Sequence, residues 1–265
     1  MTLDRPGAGR GLLLVAAGAL LLGAGLVVAA LSLAPQPPSA AQVPAVSTSP
    51  ATPPPSPPAT PTLLPTAVPA DPPAGITAYV DAEWADAVAV ELGIPARVFW
   101  AYAGAASAVL AEFPECGLGW NTLAGIGWVE SHHGTFGGST VTAQGQAEPP
   151  IIGIALDGTR SARIRDTDKG ELDGDRTWDR AVGPMQFIPS TWAKWGTDGN
   201  GDGVADPQQI DDAVHSAARY LCAAGGDLTR PANWIAAVAA YNDSISYNNQ
   251  VADAADRYAR RAQNR

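Results

Sequence analysis

Residues 11–34 read GLLLVAAGALLLGAGLVVAALSLA, twenty-four positions in a row without a charge. A run of that length meets the roughly 20 apolar residues that span a bilayer. A cleavable signal has a shorter core of about 7 to 15 residues, so the length favours an uncleaved anchor, although PSAAQ just downstream resembles a small-residue cleavage site. Arg5 and Arg10 precede the run and no basic residue follows before Arg97. The positive-inside rule then puts residues 1–10 in the cytoplasm and everything after residue 34 outside. The expected protein is a single-pass, membrane-anchored one with an extracytoplasmic domain, or a secreted one if the segment is removed.

Residues 35–74 hold 15 of the 24 prolines and a single charge, Asp71. Such a segment buries no core and favours extended polyproline II, which makes it a spacer. What remains to fold is residues 75–265. This part carries the whole formal charge of −10, a poor surface for nucleic acid, which needs basic clusters. Its two cysteines, Cys116 and Cys222, belong to no CxxC pair. In an oxidising compartment they read as a disulfide rather than a metal site, with two buried thiols as the alternative.

Helical periodicity dominates this region. Val80, Trp84, Val88 and Leu92 share one face over 76–93, and ARVFWAYAGAASAVLAEF (96–113) follows Pro95. NTLAGIGWVESHHG (121–134) is the third helix, with Asn121 as its N-cap and Gly134 as its C′ residue. Residues 135–180 are irregular, with PPIIGIAL the one strand candidate. Helices resume at PSTWAKW, after Pro207, at PANWIAAVAAYN and at SYNNQVADAADRYARRA. The expectation is a mainly α domain of about seven helices with a long irregular loop or hairpin region.

Glu130 stands out because it closes the apolar run Ile126, Gly127, Trp128, Val129 on the last turn of the third helix. Partial burial would raise its pKa above the roughly 4.3 of a free glutamate. An acid still protonated near neutral pH suits glycosidic bond cleavage, where the leaving oxygen needs a proton. A metal site with His132 and His133 fits poorly, since zinc proteases space two histidines four apart around the glutamate. A helix-end glutamate without a task is the plain alternative.

Two further stretches bear on it: RAVGPMQFIPSTW (180–192) and AVAAYNDS (237–244). Taken in order, E-S-x-x-G, G-P-M-Q-F-x-P-S-x-W and A-Y-N resemble the lytic transglycosylases of peptidoglycan, nearest the membrane-bound lytic transglycosylase B type, over about residues 76–260. The resemblance implies a lysozyme-like fold with Glu130 as the catalytic acid. It also implies that Met185, Gln186 and Phe187 line the sugar groove, with Tyr241 and Asn242 facing Glu130 across it. Met185, Phe187 and Tyr241 as core, and Asn242 as a helix cap, are the alternatives. Between Gly134 and Arg180 the sequence departs from larger members, which leaves the substrate-contacting loops there undefined.

DGNGDGVADPQQIDD (198–212) places Asp198, Asn200 and Asp202 at alternate positions before Gly203, the first half of an EF-hand loop. Val204 would offer its carbonyl and Asp206 would hold the ninth position. Gln209 takes the place of the closing glutamate, so Asp211 or Asp212 would have to supply that carboxylate. Asp206-Pro207 also reads as an N-cap and first turn, with Gln209 closing a capping box. The resemblance supports a structural calcium here; an Asp/Gly-rich turn is the alternative. The acidic loop 166–175 reads as a solvated turn.

The activity implied is cleavage of the MurNAc-β-1,4-GlcNAc bond to 1,6-anhydro products, with no cofactor required for the chemistry. A water-using muramidase with an Asp from 166–179 as partner is one rival. An idle wall-binding scaffold in a division or cell-wall assembly is the other. The expected partners are glycan strands, the membrane and such assembly proteins.

Overall fold

The computed structural model describes residues 75–263. The expected anchor at 11–34 and the spacer at 35–74 lie outside the described residues. Among those described, no single helix is long and apolar enough to cross a membrane.

The domain is mainly helical. A 3-10 turn (Ile76–Tyr79) leads into α1 (Ala82–Leu92), followed by α2 (Ala96–Glu112) and α3 (Trp120–Ser131). Two short antiparallel pairs come next, β1 (Thr140–Val141) with β2 (Ala147–Glu148), and β3 (Ile152–Ala155) with β4 (Arg180–Val182). The chain ends in α4 (Pro189–Trp195), α5 (Ile210–Gly225), α6 (Pro231–Tyr241) and α7 (Ile245–Gln263). The expected helix over 76–93 is split, because the Asp81 side chain accepts from the Trp84 N–H at 2.7 Å and starts α1 there. A capping carboxylate satisfies a donor that a continuous helix would have used itself.

Helices α2 and α3 form the centre, and apolar or small residues cover nearly their whole circumference, as a helix buried on all sides requires. Phe99 of α2 meets Trp120 of α3 edge-on, with ring centroids 5.0 Å apart. α7 lies against α3 where Gly125 leaves room: a Cβ there would sit 2.8 Å from the Val251 carbonyl oxygen. That close approach brings the start of α7 to the end of α3. Cys116 and Cys222 form a disulfide that ties the α2–α3 connection to α5 over 106 residues.

The helix caps differ from the sequence expectation. Gly119, not Asn121, precedes α3; Asn121 is buried inside the helix and donates to the Ala255 carbonyl of α7. Not Gly134 but His132 takes the left-handed conformation that ends α3. α5 is capped by Gln209, whose side chain accepts from the N–H groups of Asp211 and Asp212. Asp206 instead stabilises the turn before it, accepting from the Gln208 N–H and the Gln146 side chain.

Candidate active site

Glu130 sits half-buried on the last turn of α3. Its Oε1 accepts from the Tyr247 hydroxyl at 2.5 Å. Burial pushes its carboxyl up to about 7, and the Tyr247 bond pulls in the opposite direction. Desolvation wins because one neutral donor offsets only part of the hydration a carboxylate loses. No charged group is among the causes of the shift. At neutral pH the group is poised between its acid and base forms.

Tyr241, at the end of α6, donates to the Met185 carbonyl oxygen at 2.8 Å. Burial first, and then the proximity of Glu130, raises its hydroxyl well above the ordinary tyrosine range. Tyr247 is raised in the same way. Both therefore remain protonated and can serve as hydrogen-bond donors.

The loop bearing Met185, Gln186 and Phe187 is fastened beside Glu130 by its neighbour Ser131. The buried Ser131 hydroxyl donates to the Pro184 carbonyl at 2.6 Å and accepts from the Gly134 N–H at 2.8 Å. Val182 and Phe187 exchange backbone hydrogen bonds in both directions, closing residues 183–186 into a tight turn. Gly183 has φ +75°, and a Cβ there would fall 1.7 Å from the Pro207 carbonyl oxygen, so only glycine fits. Gln186 holds φ +49° without being glycine, a conformation that costs roughly 1–2 kcal/mol and persists only where surroundings impose it. Its amide donates to the Gly183 carbonyl at 2.9 Å.

Beside this turn lies a cavity of about 170 Å³ lined by Gln186, Phe187, Ile188, Thr191, Tyr220, Ala240 and Tyr241. Phe187 packs edge-on against both Trp192 and Tyr241, with centroids 5.3 and 5.8 Å away. Aromatic walls with a few polar tips suit the apolar faces and hydroxyl rims of sugar rings. Glu130 does not line this cavity; Tyr241 connects the two, bordering the cavity with its ring and sensing Glu130 electrostatically.

The residues singled out in the sequence thus fall into three groups. Glu130, Gln186, Phe187 and Tyr241 gather around the turn and the cavity. Met185 is fully buried, and its backbone carbonyl is what reaches Tyr241. Asn242 is exposed at the end of α6, where its side chain accepts from the Ser244 N–H. Tyr247 and Tyr220 were not singled out, and Ser131 stood only as the serine of the E-S-x-x-G motif. Tyr247 shares the core face of α7 with Val251, Ala254 and Tyr258, so its spacing reads as packing. Only the hydrogen bond to Glu130 marks it out.

His132 and His133 take no part. His133 is buried between two hydroxyls, 3.0 Å from Tyr102 and 2.7 Å from Tyr258, and desolvation lowers its pKa to about 3. His132 is exposed and stacks edge-on against Trp128.

In the loop after α4, Asp198 accepts from the N–H groups of Gly201, Asp202 and Gly203, and Asp202 from that of Val204. Asp211 turns away into an ion pair with Arg97, so it does not complete this loop. The fully buried Asp212 does, accepting from Gly199, Asn200 and Asp206. Burial is the main cause that raises its carboxyl to about 6. In the other acidic loop Asp166, Asp168 and Asp179 each bring an oxygen within 4.8 Å of the others.

Residues 160–256 match the family model described as the transglycosylase SLT domain. The matched stretch contains Gln186, Phe187, Tyr241 and Tyr247 and begins after Glu130. Among solved structures, the Escherichia coli lytic transglycosylase Slt35 in complex with bulgecin A aligns with 71% of this chain and 76% of its own, at 14% identity and a TM-score of 0.41. Among curated proteins none matches.

Proposed function

We infer that the protein is a lytic murein transglycosylase acting on peptidoglycan, as the SLT-domain match supports. The observation that carries the mechanism is Glu130, a half-buried acid raised to about 7 and held by Tyr247. Glu130 donates its proton to the oxygen linking MurNAc to GlcNAc. As the bond breaks, positive charge develops at C1 of the muramyl ring. The Glu130 carboxylate then removes the proton from the C6 hydroxyl of that same ring, and the oxygen bonds to C1. This closes a 1,6-anhydro ring and returns Glu130 to its acid form.

One carboxyl alternating between acid and base needs a pKa near the working pH, which burial supplies. Retaining and inverting hydrolases use a pair of carboxylates. In the anhydro route the C6 hydroxyl of the substrate takes the place of the attacking water, so one carboxyl serves both steps. The mass of soluble products from wall digestion tests it, since anhydro products lack one water. The order of the three motifs supports the membrane-bound B type, and cell-wall remodelling is the role that follows.

Calcium is proposed as a structural ion of the 198–212 loop. Asp198, Asn200, Asp202 and the Val204 carbonyl are hard oxygen donors at EF-hand spacing, and of the two carboxylates weighed for the closing place it is Asp212 that turns into the loop. When bound, the ion would neutralise this acidic turn and take no part in bond cleavage. Residues 11–34 and 35–74 are proposed as the anchor and spacer that hold the domain outside the membrane.

A further inference from the structure

The segment between β3 and β4 sorts its charges by direction. Most of its carboxylates hold backbone N–H groups: Asp157, across a β-bridge from Arg163, that of Thr159, Asp166 those of Asp168 and Gly170, Asp168 that of Leu172, Asp173 those of Asp175 and Arg180, and Asp175 those of Thr177 and Trp178. Asp179, fully buried, accepts from Thr167 twice. The arginines are left outside. Arg163 and Arg165 are both exposed and two positions apart on extended backbone. Their guanidinium carbons lie 5.4 and 4.3 Å from the centroid of one indole, that of Trp178. Arg165 pairs with Trp178 across a β-bridge, which fixes the stack from the backbone. Neither arginine takes part in the ion pairs found among the described residues.

Two cations held on one ring repel each other, and an anion placed between them relieves that repulsion while accepting from both forks. We propose that Arg163 and Arg165, stacked on Trp178, form a subsite for the carboxylates of the peptide stems on the glycan strand that Glu130 cleaves. This rests on the peptidoglycan reading above. The platform leads toward the Gln186 turn along the chain, since Trp178 stands two residues before Arg180, the first residue of β4. Arg180 of β4 donates to the Gly153 carbonyl of β3 at 3.2 Å. Gly153 in turn packs so tightly on Gln186 that a Cβ would lie 2.8 Å from its side-chain oxygen. Stems project from muramyl residues, so a strand seated at Gln186 would present its carboxylates on the β3–β4 side of the turn. The chain bears a net charge of −10 and repels an anionic polymer overall. Two guanidiniums at one place, outside the ion pairs found among the described residues, therefore set the register in which such a polymer can approach.

The test uses the full-length chain in detergent carrying Glu130→Gln, so that bound fragments stay intact. It is titrated with soluble glycan fragments whose stems carry free carboxyls, and with the same fragments amidated. Amidation is expected to weaken binding about fivefold, as is the double change Arg163→Gln/Arg165→Gln, and in that variant amidation should make no further difference. Arg163→Lys/Arg165→Lys should keep part of the preference, because charge remains while the planar fork is lost. Equal binding of both fragments by the parent, or an undiminished preference in the Gln variant, overturns the subsite. Wall digestion by the unmutated chain is followed in parallel. A carboxylate preference without digestion would sink the catalytic reading and leave the subsite standing, and digestion without the preference would do the reverse.

Discussion

The Tyr247 hydroxyl lies 2.5 Å from Glu130 Oε1, a hydrogen bond between the end of α3 and the start of α7, 117 residues apart. Such a donor favours the carboxylate and opposes the burial that favours the acid. The balance at about 7 is therefore set by two helices together.

Glu130→Gln should lower the rate of wall digestion by about 10²- to 10⁴-fold, the range general acid catalysis commonly supplies. The folded carboxyl binds its proton more tightly than the unfolded one. The stability it contributes is thus complete below about pH 4.5 and lost as the pH rises through about 7. The penalty at pH 8 is on the order of 3 kcal/mol. An amide avoids it, so melting at pH 8 should show the variant at least as stable as the parent, with digestion lost.

Tyr247→Phe removes the bond that lowers the Glu130 pKa, so the alkaline limb of the kcat profile should move to higher pH. We expect kcat to fall by roughly tenfold to a hundredfold as the carboxyl loses its positioning partner. A pH-rate profile separates this from a packing defect, which would lower the rate without moving the limb.

Cys116→Ser/Cys222→Ser opens a link across 106 residues. Restoring that freedom to the unfolded chain costs about 3–5 kcal/mol of stability. Denaturant unfolding of parent and variant should differ by that amount, and thiol labelling of the unreduced, unfolded parent should find no free thiol.

Millimolar calcium should raise the melting temperature of the parent by several degrees, since an ion bound to the native state alone stabilises by about 2.7 kcal/mol at a hundredfold excess over Kd. Asp202→Ala should lose most of that shift. Asp211→Asn should keep it, because Asp211 is paired with Arg97 and does not face the loop. Melting curves with calcium and with chelator distinguish these outcomes.

The local elements were legible because they follow from local physics. Apolar spacing in 96–113 and 246–262 gave α2 and α7 almost to their ends, and prolines at 95, 189 and 231 marked helix starts. Glu130 was legible as a candidate acid from the apolar residues before it. The caps were misjudged where a side chain found a distant partner: Asn121 was drawn into the core by the Ala255 carbonyl, and Asp206 by Gln146.

The sequence by itself determined that a helical domain follows a long apolar run and a proline-rich segment, and that one acid closes a buried helix, because hydrophobic periodicity and desolvation act within a few residues. Only the tertiary structure decided which groups meet that acid. Tyr247 reaches it because Gly125 lets α7 approach α3, and Ser131 pins the Gln186 turn alongside. Asp212 rather than Asp211 closes the acidic loop because Arg97, far away in sequence, has claimed its neighbour. Such pairings depend on distances that chain spacing does not encode, which is why they appear only once the helices are packed.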